Sequence, residues 1–172
     1  MAKPRTRRLT CLLVGESTLL LRCAETLAGR GHTVAAIVTP DEAIRGGARA
    51  YRSLPEALGG MDDRPDVLFS IVNRAILRPQ DIAFARHAAI NYHDSPLPAY
   101  AGVNAPSWAI LQGESSHGVT WHLMQAAVDA GDILIQRRFP IDDGETALAL
   151  AAKCYEHALD SFGEVLDRLE TG

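Results

Sequence analysis

The densest chemistry in the chain lies in Ile90-Asn91-Tyr92-His93-Asp94-Ser95-Pro96-Leu97-Pro98. In extended backbone, alternate side chains point the same way, so Asn91 and His93 share a face and Tyr92 takes the other. An amide NH2 beside an imidazole can donate to an oxygen that is gaining charge, or can move a proton. A second polar cluster, Val128-Asp129-Ala130-Gly131-Asp132, adds a carboxylate. Glycine at 131 lets the backbone double back, which can bring Asp129 to the same edge. There Asp129 would orient the imidazole and favour its charged form, since a nearby anion raises a histidine pKa. The set suggests acyl transfer at a carbonyl, where one such amide donor is worth ~2.7–4 kcal/mol in rate. Ser95 is caught between Asp94 and Pro96, and Cys11 and Cys154 sit among apolar neighbours. None has a nucleophile-elbow context, which favours direct attack by a substrate amine over a covalent enzyme intermediate. Each residue also has an ordinary role: Asn91 or His93 as a hydrogen bonder ordering a loop, Asp129 as a turn residue. His117 and His122 are five apart, off the helical metal-pair spacing, so no metal site is expected. His122 shares a strand face with Thr120 and Met124 and can line the same cleft.

These side chains need a sheet edge to stand on. Leu9 to Val14 is a short apolar run, as a strand buried on both faces should be. Gly15-Glu16-Ser17 turns the chain, with Ser17 able to cap a helix that carries Leu20, Cys23, Ala24 and Leu27 at helical spacing. Gly29 to Gly31 stops that helix and Thr33 to Val38 is the next strand. The βαβ opening predicts an α/β, Rossmann-like fold: a mostly parallel twisted sheet with helices on both faces. In such sheets, ligands bind at the carboxyl edge of the strands. Pro40 to Arg64 reads as two short helical pieces broken by Gly46-Gly47 and Gly59-Gly60. Val67 to Val72 is a strand, Pro79 to Arg86 a short helix, and Ala89 to His93 a strand running into the proline-rich loop. Asn104 to Gln112 is predicted helical, with Trp108 and Leu111 inward. Val119 to Gln125 and Ile133 to Pro140 form a hairpin. Leu148, Ala151, Tyr155, Leu159, Phe162, Leu166 and Leu169 predict one long amphipathic helix on the sheet.

Composition bounds the function. The 172 residues are 47% hydrophobic and 22% charged, which fits one globular domain over residues 1–172 and no second domain. Such a chain buries roughly 70% of its unfolded surface. Seventeen Lys and Arg against 21 Asp and Glu leave a net charge of -4, which argues against non-specific nucleic-acid binding. Three cysteines without metal-like spacing suggest buried free thiols in a reducing cytosol. The basic start (Lys3, Arg5, Arg7, Arg8) precedes an apolar run too short for a signal peptide, and no run approaches the ~20 apolar residues of a membrane span. A cytoplasmic location is expected. Only Gly15 stands where a dinucleotide fingerprint needs three glycines, and Asp41, in a ribose-binding position, has no phosphate loop to accompany it.

The motif set resembles the catalytic domain of the 10-formyltetrahydrofolate-dependent formyltransferases. The resemblance rests on Asn91-Tyr92-His93, on Ser95-Pro96-Leu97-Pro98 with Gly102 after it, on Gly118-Val119-Thr120, and on Asp129-Ala130-Gly131 with Asp132-Ile133-Leu134. Leu68 to Asn73, Tyr100 to Asn104 and Gly118 to His122 add a likeness to the formyltransferase domains that begin certain nonribosomal peptide synthetases, of the linear gramicidin type. Pro96 stands where that loop more often has Leu. The resemblance implies 10-formyltetrahydrofolate as co-substrate, without metal, and Asn91, His93 and Asp129 as catalytic residues. It implies a pterin slot built from the backbone of Arg74, Ala75, Ile76 and Leu77 and of Gln125, Ala126, Ala127 and Val128, with Ile76, Leu77 and Val128 flanking the ring. The implied acceptor is an amine, with an aminoacyl carrier protein or downstream synthetase domains as partner. An amino sugar nucleotide, a glycinamide nucleotide or a hydroxyornithine-type amine remain as other acceptors. Hydrolysis to formate and a non-catalytic folate-binding module are the competing functions. The Leu97-Pro98 bond is expected to be cis. At this length the grip on a large acceptor is expected from a partner or from chain beyond Gly172.

Overall fold

The computed structural model describes residues 7–44 and 49–171. The uninterrupted apolar runs become strands: β1 (Thr10–Gly15), β2 (Thr33–Val38) and β4 (Val67–Ile71), with β4 buried along its whole length. A two-residue strand, β3 (Ala50–Tyr51), joins the edge of β2, and β5 (Ala88–His93) pairs with β4. All these pairings are parallel. The hairpin β6 (Ser116–Leu123) and β7 (Ile133–Pro140) then adds two antiparallel strands, giving the order β3-β2-β1-β4-β5-β6-β7. The strand order reverses at β1, where doubly wound folds open their ligand crevice.

Helices cover both faces. On one side α1 (Thr18–Gly29), α4 (Ala105–Leu111) and α5 (Ala147–Thr171) close a core that holds Phe69, Ile90, Tyr92, Trp121 and Phe162. On the other, α2 (Leu54–Gly60) and α3 (Pro79–Ile82) close a smaller cluster around Leu12, Val14, Leu68 and Ala89. Gly15 is a close approach: a Cβ there would stand 1.8 Å from the Ile71 carbonyl oxygen. That accounts for its glycine as a tight turn. Ser17 occupies the N-cap of α1 in extended conformation but makes no side-chain cap bond.

Several expectations need correction. Trp108 and Leu111 do not face inward; they are 50% and 73% exposed, while Ala105, Pro106 and Ala109 make the contact. A seven-residue helix carries two stripes of comparable spacing, and the small residues are the ones that let α4 lie against α5. Leu148 starts the apolar stripe of α5 yet is 83% exposed, while Leu150 in the same turn is fully buried. Between Pro40 and Arg64 there is one helix, α2, preceded by β3; the Gly46-Gly47 break lies outside the described residues. α3 stops at Ile82 rather than Arg86, and β4 stops at Ile71, where Val72 turns to φ 51°. Among the described residues no helix is long and apolar enough to cross a membrane.

Candidate active site

Register assembles the site. In the antiparallel pair β5–β6, Asn91 lies opposite His122 and His93 opposite Thr120. All four share the face that carries Ala89, away from α1 and α5. The chain then leaves β6 and returns. Leu123 N–H donates to the Asp132 carbonyl at 2.9 Å, and a Cβ on Gly131 would stand 1.7 Å from the Leu123 oxygen. Only glycine permits that close return. It delivers Asp129 in the left-handed region, φ 53°, which Asp tolerates better than most residues.

Asp129 is held by the Gly102 N–H, which donates to Oδ2 at 3.0 Å. Its other neighbours are rings: His93 Nδ1 at 3.7 Å from Oδ2 and His122 Nε2 at 3.6 Å from Oδ1. Both separations exceed a direct hydrogen bond, so the two rings stand beside the carboxylate without being bonded to it. His93 Nε2 stands 2.9 Å from the Tyr100 carbonyl, an acceptor only, so Nε2 carries hydrogen and Nδ1 faces Asp129. Asn91 Nδ2 lies 3.2 Å from His122 Nε2, and His122 Nδ1 lies 2.9 Å from the Leu123 carbonyl. Burial pushes the Asp129 carboxyl up, but the adjoining His122 and His93 rings and the Gly102 N–H outweigh it and hold it below its ordinary value. The site therefore holds a carboxylate at neutral pH.

The proline-rich loop is fastened over β6. Thr120 Oγ1 donates to the Ser95 carbonyl at 2.7 Å and accepts from Leu97 N–H at 3.2 Å. Gln136 donates to the Leu97 carbonyl at 2.8 Å, and Ser95 Oγ to that of Ala99 at 2.6 Å. Pro96 lies above Gly118, whose added Cβ would be 3.0 Å from the Pro96 Cβ. The Leu97-Pro98 bond is cis, as expected. Tyr100 (φ 56°) and Gly102 (φ 105°) then turn the loop so that its carbonyl and N–H reach His93 and Asp129.

The other two segments flank this face. Leu77 and Met124 join the buried cluster of Ala89, while Ile76 and Val128 are 79% and 63% exposed. Arg74, Ala75, Gln125, Ala126 and Ala127 are also exposed, in irregular backbone outside the sheet. Leu77 faces the core, so its side chain is less free than those of Ile76 and Val128. The structure brings Asn91, His93 and Asp129 together, and among the described residues no group of His, Cys, Asp and Glu is arranged to hold a metal. Tyr100, Thr120 and Gln136 were not singled out, because they act through cross-strand register or a main-chain carbonyl. His122 did carry a signal, its shared face with Thr120.

A Rossmann-like domain with an amide, two imidazoles and a carboxylate at the carboxyl edge of β5 defines a class suited to group transfer at a carbonyl. Residues 62–166, more than half of the chain, match the family model described as formyl transferase, and the chain belongs to that family. It is 33% identical over 113 residues to the GDP-perosamine N-formyltransferase of Brucella melitensis, covering 66% of this chain and 44% of that protein. It is 36% identical over 119 residues to the methionyl-tRNA formyltransferase of a Synechococcus strain, covering 69% of this chain and 37% of that protein. The chain thus spans less than half the length of these relatives. Glycinamide ribonucleotide transformylase 1 from Symbiobacterium toebii superposes with a TM-score of 0.80 at 21% identity, covering 92% of this chain and 86% of that one. WlaRD, a sugar 3N-formyl transferase solved in the presence of dTDP and 5-N-formyl-THF, gives a TM-score of 0.72 at 21% identity, covering 96% of this chain and 64% of that one. These two superpositions bear on the fold.

Proposed function

We propose that this chain transfers a formyl group from 10-formyltetrahydrofolate to a primary amine in the cytoplasm. The observation that carries the reading is the convergence of Asn91, His93 and Asp129 on one sheet edge, inside a chain of the formyl transferase family. The folate supplies the formyl carbon. As an amine adds to that carbon, negative charge grows on the formyl oxygen, and Asn91 Nδ2–H donates to it. His93 contributes through Nδ1, because Nε2–H is engaged by the Tyr100 carbonyl. When Nδ1 carries a hydrogen it donates to the same oxygen. Asp129, which stands beside both rings, accepts the proton of the attacking amine through a water. A proton returned to the departing folate nitrogen lets the carbon–nitrogen bond break, since an unprotonated arylamide leaves poorly.

The irregular backbone from Arg74 to Leu77 and from Gln125 to Val128 fits a pterin slot, its peptide groups reading the polar edge of the ring. Exposed Ile76 and Val128 fit the two faces of the slot. The acceptor we favour is an aminoacyl group on a peptide-synthetase carrier protein, on the likeness of the motif stretches Leu68 to Asn73 and Tyr100 to Asn104. A nucleotide-linked amino sugar is the second reading, favoured by the GDP-perosamine relative.

Turnover with 10-formyltetrahydrofolate across carrier-bound aminoacyl, amino sugar nucleotide, glycinamide nucleotide and hydroxyornithine acceptors tests the assignment. Formate release without any acceptor would point to a hydrolase. Asn91→Ala, His93→Ala and Asp129→Ala are each expected to cut formyl transfer at least ~100-fold with the fold intact. Near-normal turnover in any two of them would overturn the reading.

A further inference from the structure

We infer that His122 is a positioning residue that sets which way the Asn91 amide faces, and so aims one Asn91 N–H at the reacting oxygen. The inference rests on the formyl-transfer reading above. The two ends of an asparagine amide are alike in size, and only hydrogen-bond partners choose between its orientations. Here the choice is made by a ring whose own tautomer is fixed. His122 Nδ1 lies 2.9 Å from the Leu123 carbonyl, which can only accept, so the hydrogen sits on Nδ1. The tautomer with its hydrogen on Nδ1 presents a lone pair at Nε2, and Asn91 Nδ2 stands 3.2 Å away to donate to it. Turning the amide over would set Oδ1 against that lone pair, two acceptors in contact. One Nδ2 hydrogen is thereby committed to His122, and the second is directed elsewhere in the cleft.

Three features make this a built arrangement. His122 is 2% exposed, so water does not compete for Nε2. It lies directly opposite Asn91 in the β5–β6 register, so the sheet sets the separation. The carbonyl that fixes its tautomer belongs to the next residue of its own strand. Asp129 Oδ1, at 3.6 Å from Nε2, stands beside the same ring. An apolar side chain at 122 would fill the volume but leave the amide free to turn.

The test is kinetic and spectroscopic. His122→Leu is expected to lower kcat ~10–100-fold with KM for the formyl donor unchanged, the size of loss that misorienting one reacting group produces. His122→Gln, whose side-chain oxygen can accept the same N–H, should recover most of that loss. Adding His122→Leu to Asn91→Ala should cost nothing further, because the amide it aims is gone. In the unaltered protein, a through-hydrogen-bond nitrogen–nitrogen coupling should link Asn91 Nδ2 and His122 Nε2, whether or not the Leu variant folds. Absence of that coupling, a kcat for His122→Leu within twofold of the unaltered enzyme, or multiplying losses in the double variant would overturn the inference. Near-normal turnover in both Asn91→Ala and Asp129→Ala would instead overturn the formyl-transfer reading.

Discussion

Burial pushes both Asp94 and Asp129 up, yet the two carboxyls end on opposite sides of the ordinary value. Burial dominates at Asp94 and, against the opposing His93 charge, lifts its carboxyl above the ordinary 3.8. At Asp129 burial is outweighed by the adjoining His122 and His93 rings and the Gly102 N–H, and the carboxyl falls below 3.8. A lowered carboxyl stabilises the fold above its unfolded value and loses that contribution as the pH drops through the folded one. A raised carboxyl does the reverse, and its ionised form costs stability as the pH climbs above 3.8. Asp129→Asn should therefore lower the melting temperature at pH 7, and Asp94→Asn should raise it. The Asp94 difference should fade as the pH falls to 3.8 and the Asp129 difference only below 3.8, which a thermal-denaturation series across pH checks. Asn91 and His93 were legible because alternation along one strand is local. The partnership of Asn91 with His122, 31 residues away, was not, because register between strands is written in no single segment.

Strands and helices place these side chains, and their packing carries its own polar accounts. Trp121 and Ser161 are both fully buried, and the indole N–H donates to Ser161 Oγ at 3.1 Å where α5 crosses β6. The Trp121 ring lies 5.1 Å from Phe162 and 5.3 Å from Tyr92, so the indole cannot turn away to find another partner. Ser161→Ala should cost about 1–3 kcal/mol, the penalty for a buried donor left unpaired, seen as a lower urea midpoint at unchanged slope. α5 was readable from its long apolar periodicity. α4 misled because its outward stripe, Trp108 and Leu111, is more hydrophobic than its inward one. Close approach of backbone selected Ala105 and Ala109 instead. Ser161 lies in the buried stripe of α5, a polar residue whose indole partner is on another element.

At the scale of the molecule, the described residues form one seven-stranded sheet with a core on each face. Its three cysteines, Cys11, Cys23 and Cys154, are buried free thiols. Burial pushes Cys11 and Cys154 up to about 12 and raises Cys23 as well. The thiolate is the reactive form, so a thiol reagent at neutral pH should label none of them in the native protein and all of them in denaturant. Labelling at low denaturant should track global unfolding, since the three are spread over β1, α1 and α5. The termini of the sheet layers are tied as well. His32 Nδ1 accepts from Leu9 N–H at 3.2 Å, while its Nε2 lies 2.9 Å from Glu170 at the end of α5.

The amino-acid sequence by itself determined the strands, the long helix, the parallel opening and the residue types able to stabilise charge at a carbonyl. Those follow from patterns a few residues long, where alternation, helical spacing and glycine turns act on near neighbours. Only the tertiary structure decided that Asp129 reaches His93, that Tyr100 turns Nδ1 of that ring inward, and that His122 sits against Asn91. Each depends on a distance between segments far apart in the chain, set by strand register and by the sharp return at Gly131. A site whose parts lie 3–4 Å apart is resolved only when the sheet has brought them there.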